Sequence, residues 1–397
     1  MNTIKFFIPI FFLLSLLSCK KGKEISVVVL NPMNVERQAE TIEIPKKALD
    51  ALTQKEFESL GVVDSQTGKT VMFQLYDQSG DGRPDVILFQ PKVPAGGSKS
   101  YLLLKMNFQP RFKSKVYSRF VPERTDDYAW ENDRVAFRTF GPTAQKMIEE
   151  KIPGGTLTSG IDCWLKKVDY PIINKWYKKH TTGKGSYHED TGEGFDNYHV
   201  GSSRGCGGIG IWEDDTLWAS KNFTGYKTLA NGPIRTAFEL TYAPWKAGNK
   251  TIEEHKIISL DLGSNLSRIE VYTKHADTLT AGITLHEKTG KISIDSAHCW
   301  AEYWEAVPEH QYEMGCAVLT TPEYCSGFRK HFSPLKDHSH LMMDLKVKNG
   351  KTVYYSGFFW TKSKQFNGKE EWEKYLTEYA EKLKNPLKIK VNGKLIN

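Results

Sequence analysis

The sequence predicts a mainly β protein, a large antiparallel sandwich of the supersandwich kind with few helices. Three observations carry that prediction. Short runs alternate in polarity, as in Arg134–Phe140 and in Ile234–Tyr242, where Thr236, Phe238, Leu240 and Tyr242 share one face. Turn signals such as Gly80-Asp81-Gly82 and Pro94-Ala95-Gly96-Gly97 separate the runs. Near the C-terminus, one segment has clear helical spacing: Trp372, Tyr375, Leu376, Tyr379 and Leu383 fall on one face, which predicts an amphipathic helix covering the sandwich.

Taken in order, the chain opens with Lys5, an apolar run from Phe6 to Leu17, and Leu16-Leu17-Ser18-Cys19, the pattern of a bacterial lipoprotein signal. That run is shorter than the roughly 20 residues of a spanning helix. Cleavage before Cys19 predicts a signal over 1–18, a lipidated, palmitate-bearing Cys19, and a lysine-rich tether over 19–24. The β-rich domain over 25–397 is then exported and held at the outer membrane, on its periplasmic or cell-surface side, by the lipid anchor alone. Of the charged residues, only Lys5 leaves with the signal, so 53 basic residues face 47 acidic ones. The basic residues are scattered and form no nucleic-acid motif, which points to an acidic polysaccharide as the polyanionic partner. Cys163, Cys206, Cys299, Cys316 and Cys325 remain, an odd number with room for one or two disulfides and no CxxC.

A smaller N-terminal section, about 25–110, holds strand candidates at Ser26–Leu30, Val71–Tyr76, Asp85–Phe89 and Ser98–Leu104. Asp77, Ser79 and Asp81 stand at the one, three, five spacing of a calcium loop, but position twelve is Leu88, so an Asx-rich hairpin turn competes with a Ca²⁺ site. Later strand candidates are Lys256–Leu262, Ser267–Thr273, Thr280–His286, Gly315–Leu319 and Met342–Val347. Asn367 reads as the N-cap of the final helix, with Glu370 and Glu371 in its first turn. Its aromatic face is expected to be core rather than a sugar platform.

Between these strands, Trp176–Gly208 contains eight glycines and few aliphatic residues, and reads as a long polar loop. Tyr187, His188, Tyr198, His199 and Arg204 in it are the candidate catalytic residues. A histidine beside Glu189, Asp190 or Asp196 suits a base with its orienting carboxylate. The spacing of His188 and His199 matches no helical zinc motif and there is no HExxH, so no metal is predicted there. Trp130, Arg134 and Arg138 at the entry to one alternating strand, Asp162, Trp176, and Arg235 at the start of another are candidates for substrate binding, because a guanidinium holds a carboxylate or sulfate bidentately and tryptophan stacks on pyranose. His286, His298, His331, His338 and His340 carry no local mark that sets them apart from surface residues.

Five blocks in this order, SGDGRPDVILFQPKVPAGGSKSY, DDYAWENDRVAFRTFGP, SGIDCWLKKVDYPIINKWY, YHEDTGEGFDNYHVGSSRGCGG and NGPIRTAFELTY, carry a resemblance. Together they resemble the family of secreted Bacteroidetes proteins known as the domain of unknown function numbered 4861, over nearly the whole mature chain. The resemblance implies an oligosaccharide dehydratase of ulvan breakdown, which removes water from a non-reducing-end glucuronic or iduronic acid. Such a reaction needs a neutralised carboxylate, a base at C5 and an acid at the departing C4 oxygen. Arg138, Arg204 or Arg235 would serve as the clamp, His188 or His199 as the base, and Tyr187 or Tyr198 as the acid. The rival readings are a polysaccharide lyase, a glycoside hydrolase using Glu189, Asp190, Glu193 or Asp196, and a non-catalytic glycan-binding lipoprotein.

Overall fold

The computed structural model describes residues 24–396, so the signal segment and Cys19 lie outside the described residues. A nine-stranded antiparallel sheet forms the backbone of the molecule, running from Phe223–Asn231 through Arg235–Tyr242, Lys250–Asp261, Leu266–Lys274 and Lys351–Trp360 to Tyr312–Leu319, Trp300–Val307 and Lys291–Asp295, with the short Trp245–Ala247 paired to Lys250–Asp261 off this path. Two five-stranded sheets pack on its inner face. One contains Cys206–Glu213, Thr278–Thr284 and His340–Lys346; the other runs Gly194–Asp196, Asp162–Lys166, Ala136–Thr139, Asp127–Glu131 and Tyr117–Val121. All three feed one core that includes Trp130, Phe137, Leu165, Ile209, Ile283, Met343, Phe358 and Trp360. The expected antiparallel β-sandwich is what the chain forms.

The outer face of the long sheet is covered by the helix Lys369–Lys384, which buries Trp372 and Leu376 against Trp300, Trp304 and Phe359, with Tyr375, Tyr379 and Leu383 packed alongside. The aromatic face is core, as its spacing predicts. Its cap differs from the expected one. Gly368 takes the cap position at φ 142°, where only glycine is at ease, while the amide of Asn367 donates 3.0 Å to Glu371.

The N-terminal section has its own core of Ile25, Val27, Ile44, Phe57, Val62, Phe89 and Leu103. Its five-stranded sheet is completed by Lys388–Val391, so Val27 pairs with Val391 across nearly the whole chain. The Asp77–Asp85 segment is the turn of a hairpin joining Phe73–Tyr76 to Val86–Phe89. There the Asp77 carboxylate accepts the amides of Gly80 and Gly82, each at 2.7 Å, as an Asx turn does.

Candidate functional site

The sheet ending in Gly194–Asp196 places its residues by simple alternation. Tyr128, Trp130, Phe137, Cys163, Leu165 and Phe195 face the main core. The opposite face carries Asp127, Glu131, Arg138, Asp162, Trp164, Lys166 and Asp196, with Asp162 opposite Arg138 and Asp196 opposite Trp164 in register. The expected loop covers this polar face, but its first part is not a loop. Ile173–Thr181 is a helix whose Ile173, Trp176 and Tyr177 bury against the sheet, an i, i+3, i+4 pattern that the surrounding lysines hide. Glu131 holds the start of that helix by accepting the amides of Ile172 and Ile173 at 2.9 Å, and is itself paired with Lys166 at 2.8 Å.

At the centre lies Arg138, buried, with its ring neighbours Phe140, Trp164 and Tyr187 around the guanidinium. One nitrogen, Nη2, donates to both Asp162 (2.6 Å) and Asp196 (2.9 Å), and Asp127 stands 3.6 Å from Nη1. Tyr177 donates to Asp127 at 3.1 Å. Three buried carboxylates therefore share two guanidinium groups, Arg138 and the half-buried Arg124 that shapes the rim. Burial pushes Asp127 up to about 6 against the pull of Arg138 and Arg124. It raises Asp162 against the same Arg138, and lifts Asp196 well above the usual carboxylate range, with the neighbouring Asp162 adding to the rise. The rise is what like charges this close in a dry site produce, since each disfavours ionisation of the others.

Tyr187 and His188 sit on top. The Tyr187 oxygen receives Nε of Arg124 at 3.0 Å and Nη1 of Arg138 at 3.2 Å, while the His180 ring stacks on it at 4.1 Å. His188 Nδ1 lies 2.8 Å from the backbone carbonyl of Asp196. A carbonyl only accepts, so Nδ1 carries the hydrogen and Nε2 of the neutral ring keeps its lone pair. Arg124, Arg138, Asp162, His188 and Asp196 line a cleft of 720 Å³. Its wall from Asn197 to His199 is shared with a second cleft of 770 Å³, lined by His286, Glu305, Lys288, Lys336 and Asp337.

In the second cleft His286 donates Nε2 to the His199 carbonyl (2.7 Å) and meets Glu305 through Nδ1 (2.6 Å). Burial works against its charge, but Glu305 and that carbonyl prevail and its pKa is raised. His199 lies 3.0 Å from Asp337. Gly201 makes this possible: at φ +54° an added Cβ would stand 1.9 Å from the Asp337 carboxylate.

The structure thus gathers Arg138, Asp162, His188, Tyr198 and His199 along one groove, with Tyr187 buried against Arg124 and Arg138. It does not bring the other candidates there. Trp130 is core and donates to Ser267 at 2.9 Å, and Trp176 packs on Trp164 and donates to Glu193. Arg134 binds Asn265 and lies over Phe366, fastening the final helix. Arg235 is bound by Asp261 and Glu43, at the junction with the N-terminal section. Arg204 is buried among neutral acceptors, Ser159 and Thr158 at 2.9 Å, and burial lowers it to about 10. It clamps the glycine-rich turn rather than facing the groove. Of the rival carboxylates, Asp190 accepts Lys167 and the amide of Gly192, and Glu193 accepts Lys175, Tyr170 and Trp176, so both hold the loop together. Arg124 and Asp127 belong to the site without having stood out in the sequence. Asp127 precedes Glu131 by four residues on the same strand, and that period-two relation was the available signal.

The five described cysteines form no disulfide. Cys163, Cys206 and Cys316 gather instead into one buried cluster behind the groove.

A family model described as a domain of unknown function, DUF4861, matches residues 29–389. The chain belongs to that family. The five sequence blocks anticipate this membership. A relative from Formosa agariphila, named Uncharacterized protein P7, is 47% identical over 367 residues, which is 92% of this chain and 93% of the relative. Two solved structures share the fold at 10% identity and a TM-score of 0.50 over 93% of this chain: an alpha-mannosidase from Enterococcus faecalis and a protein in the glycosyl hydrolase family 38 from the same species. The chain spans about half of their length, 46% and 47%.

Proposed function

We propose that this protein is a carbohydrate-active enzyme, and that its reaction is the elimination of water from a non-reducing-end uronic acid of ulvan-type acidic oligosaccharides. The observation that carries the reading is Asp196. Its backbone carbonyl sets the tautomer that leaves His188 Nε2 basic, and its side chain belongs to a carboxylate pair whose pKa values burial raises. A base and an acid thus stand in one cleft. In this reading His188 takes the C5 proton, whose bonding electrons become the C4–C5 double bond. The C4–O pair leaves with the oxygen, and the Asp162–Asp196 pair, or the Tyr187 hydroxyl, protonates it to water. Arg124, whose Nη2 has no partner among the described residues, would hold the sugar carboxylate as charge develops there. Lys288, Lys336 and His286 of the second cleft suit anionic groups on the adjoining sugars. The same reading takes the protein as an exported, lipid-anchored enzyme.

The glycosidase fold of the solved relatives and the Asp162–Asp196 pair favour hydrolysis as the second reading. Hydrolysis, however, asks for carboxyl groups about 5–9.5 Å apart acting separately, whereas these two meet on one guanidinium nitrogen. Mass spectrometry and ultraviolet absorbance of products from acidic oligosaccharides separate the cases. A dehydratase product is lighter by one water, absorbs, and keeps its number of sugars. A lyase gives the same chromophore on shorter chains, and shortening without any chromophore would reject elimination.

A further inference from the structure

Cys163, Cys206 and Cys316 come from three different sheets. Cys163 lies on Asp162–Lys166, Cys206 begins Cys206–Glu213, and Cys316 lies on Tyr312–Leu319 of the nine-stranded sheet. Their sulfurs lie within 4.8 Å of one another, all three residues are buried, and none is bridged. Ordinary packing has no need to bring a thiol from each layer to one point, since any apolar residue fills such a place. A metal–thiolate bond of about 2.3 Å sets sulfurs about 3.8–4.0 Å apart in a tetrahedral or trigonal site, so a small inward movement suffices. A second feature points to the same place. The hydroxyl of buried Tyr198 has no hydrogen-bond partner among the described residues and lies within electrostatic reach of all three sulfurs.

We infer that Cys163, Cys206 and Cys316 bind one thiophilic d¹⁰ cation, which fastens the three sheets together directly behind the groove. Thiolates select such ions over calcium or magnesium. Zn²⁺ fits if Tyr198 completes a fourth position, and Cu⁺ if three sulfurs suffice. Binding forms three metal–sulfur bonds and sends the thiol protons to solvent, with no change of oxidation state. Ser356 Oγ, 3.6 Å from Cys206 Sγ, would donate to the resulting thiolate by turning its hydrogen from the Cys206 and Ala317 carbonyls. Cys163 follows the cluster residue Asp162, and Tyr198 walls both clefts, so the ion would hold the floor of the groove in place.

The test uses the whole mature chain, reduced without oxygen and dialysed against Zn²⁺ or, separately, Cu⁺, with metal per chain measured by mass spectrometry. One ion per chain is expected from at least one arm, and the arm that loads identifies the ion. Cys163→Ser should retain none, while Cys325→Ser, outside the cluster, should retain one. Because a serine variant can fail to fold, X-ray absorption at the metal edge of the unmutated protein gives an independent reading, with three sulfur neighbours at about 2.3 Å expected. Failure of both arms to load, an oxygen- and nitrogen-only shell, or a disulfide within the trio in the metal-supplemented protein would each overturn the inference. None of these outcomes depends on turnover, so the metal site and the elimination reaction stand or fall separately.

Discussion

Arg138 and Arg235 look alike in the sequence. Each sits on an alternating strand, each is buried, and each binds two carboxylates directly. Their surroundings differ in one respect that matters. Arg235 joins Glu43 and Asp261 at the seam between the N-terminal section and the sandwich and lines neither cleft. Arg138 faces a third carboxylate, Asp127, and its cluster opens into a cleft. Surplus negative charge in a dry site must be met by protons, and protons held near neutral pH are what acid–base chemistry uses. The contrast lies in the setting: a buried carboxylate cluster that opens into a cavity can reach a ligand, whereas one closed in a seam serves construction.

The strongest way to break this comparison is to remove the two cations. Arg138→Leu leaves buried carboxylates without their partner and should lose about 3–5 kcal/mol of stability along with all turnover. Arg235→Leu should also destabilise, but the molecules that stay folded should keep full turnover, as read from product absorbance per folded protein. Equal loss of turnover in both would erase the distinction. Asp196→Asn sharpens it: turnover should fall by about two to four orders of magnitude with little change in melting temperature, while Asp261→Asn should show the reverse.

A subtler difference is visible in pH. Asp127 in the folded protein is held up at about 6, whereas an unfolded aspartate ionises near 3.8. Between these values the folded state binds more protons, so stability must fall as pH rises through that window, by up to about 3 kcal/mol for two pH units. Denaturant unfolding from pH 4 to 7 should show that decline in the natural protein and a flatter curve in Asp127→Asn. If the two curves are parallel, Asp127 holds no such proton. The smallest effect expected is that of Gly201→Ala, about 1–2 kcal/mol for a left-handed residue, together with displacement of Asp337 from His199, seen as a changed histidine titration by NMR.

Much of this was legible in the residues themselves. The alternating runs Arg134–Phe140 and Ile234–Tyr242 contain the strands Ala136–Thr139 and Arg235–Tyr242, and the spacing of Trp372, Tyr375, Leu376, Tyr379 and Leu383 gives the covering helix, each an expression of local physics. His188 and Tyr187 stood out because titratable side chains crowd a glycine-punctuated stretch there, although Tyr187 also packs against Trp164 and Tyr177. Arg235 lies away from the groove: a strand arginine looks the same in sequence whether its partners come from a ligand or from a neighbouring sheet. Arg204, in the glycine-rich turn, finds its partners at Ser159 and Thr158, 45 and 46 residues earlier. Arg235 finds Glu43 at a separation of 192 residues, which no local pattern encodes. Asp127 was missed for the same reason: its importance comes from Asp162 and Asp196 arriving beside it from later strands.

The pairing of Ile25–Leu30 with Lys388–Val391 has a consequence for how the molecule comes into being. The small section that begins the chain cannot finish its sheet until its two C-terminal strands, Lys388–Val391 and Lys394–Leu395, have emerged, although the other three lie within the first 105 residues. Closing contacts of such long range are slow to form and come late. A ribosome or export channel releasing the chain from its N-terminus would therefore deliver Ile25–Leu30 with one edge bare, open to pairing with other chains. The strand Lys388–Val391 acts as the latch that ends this exposure.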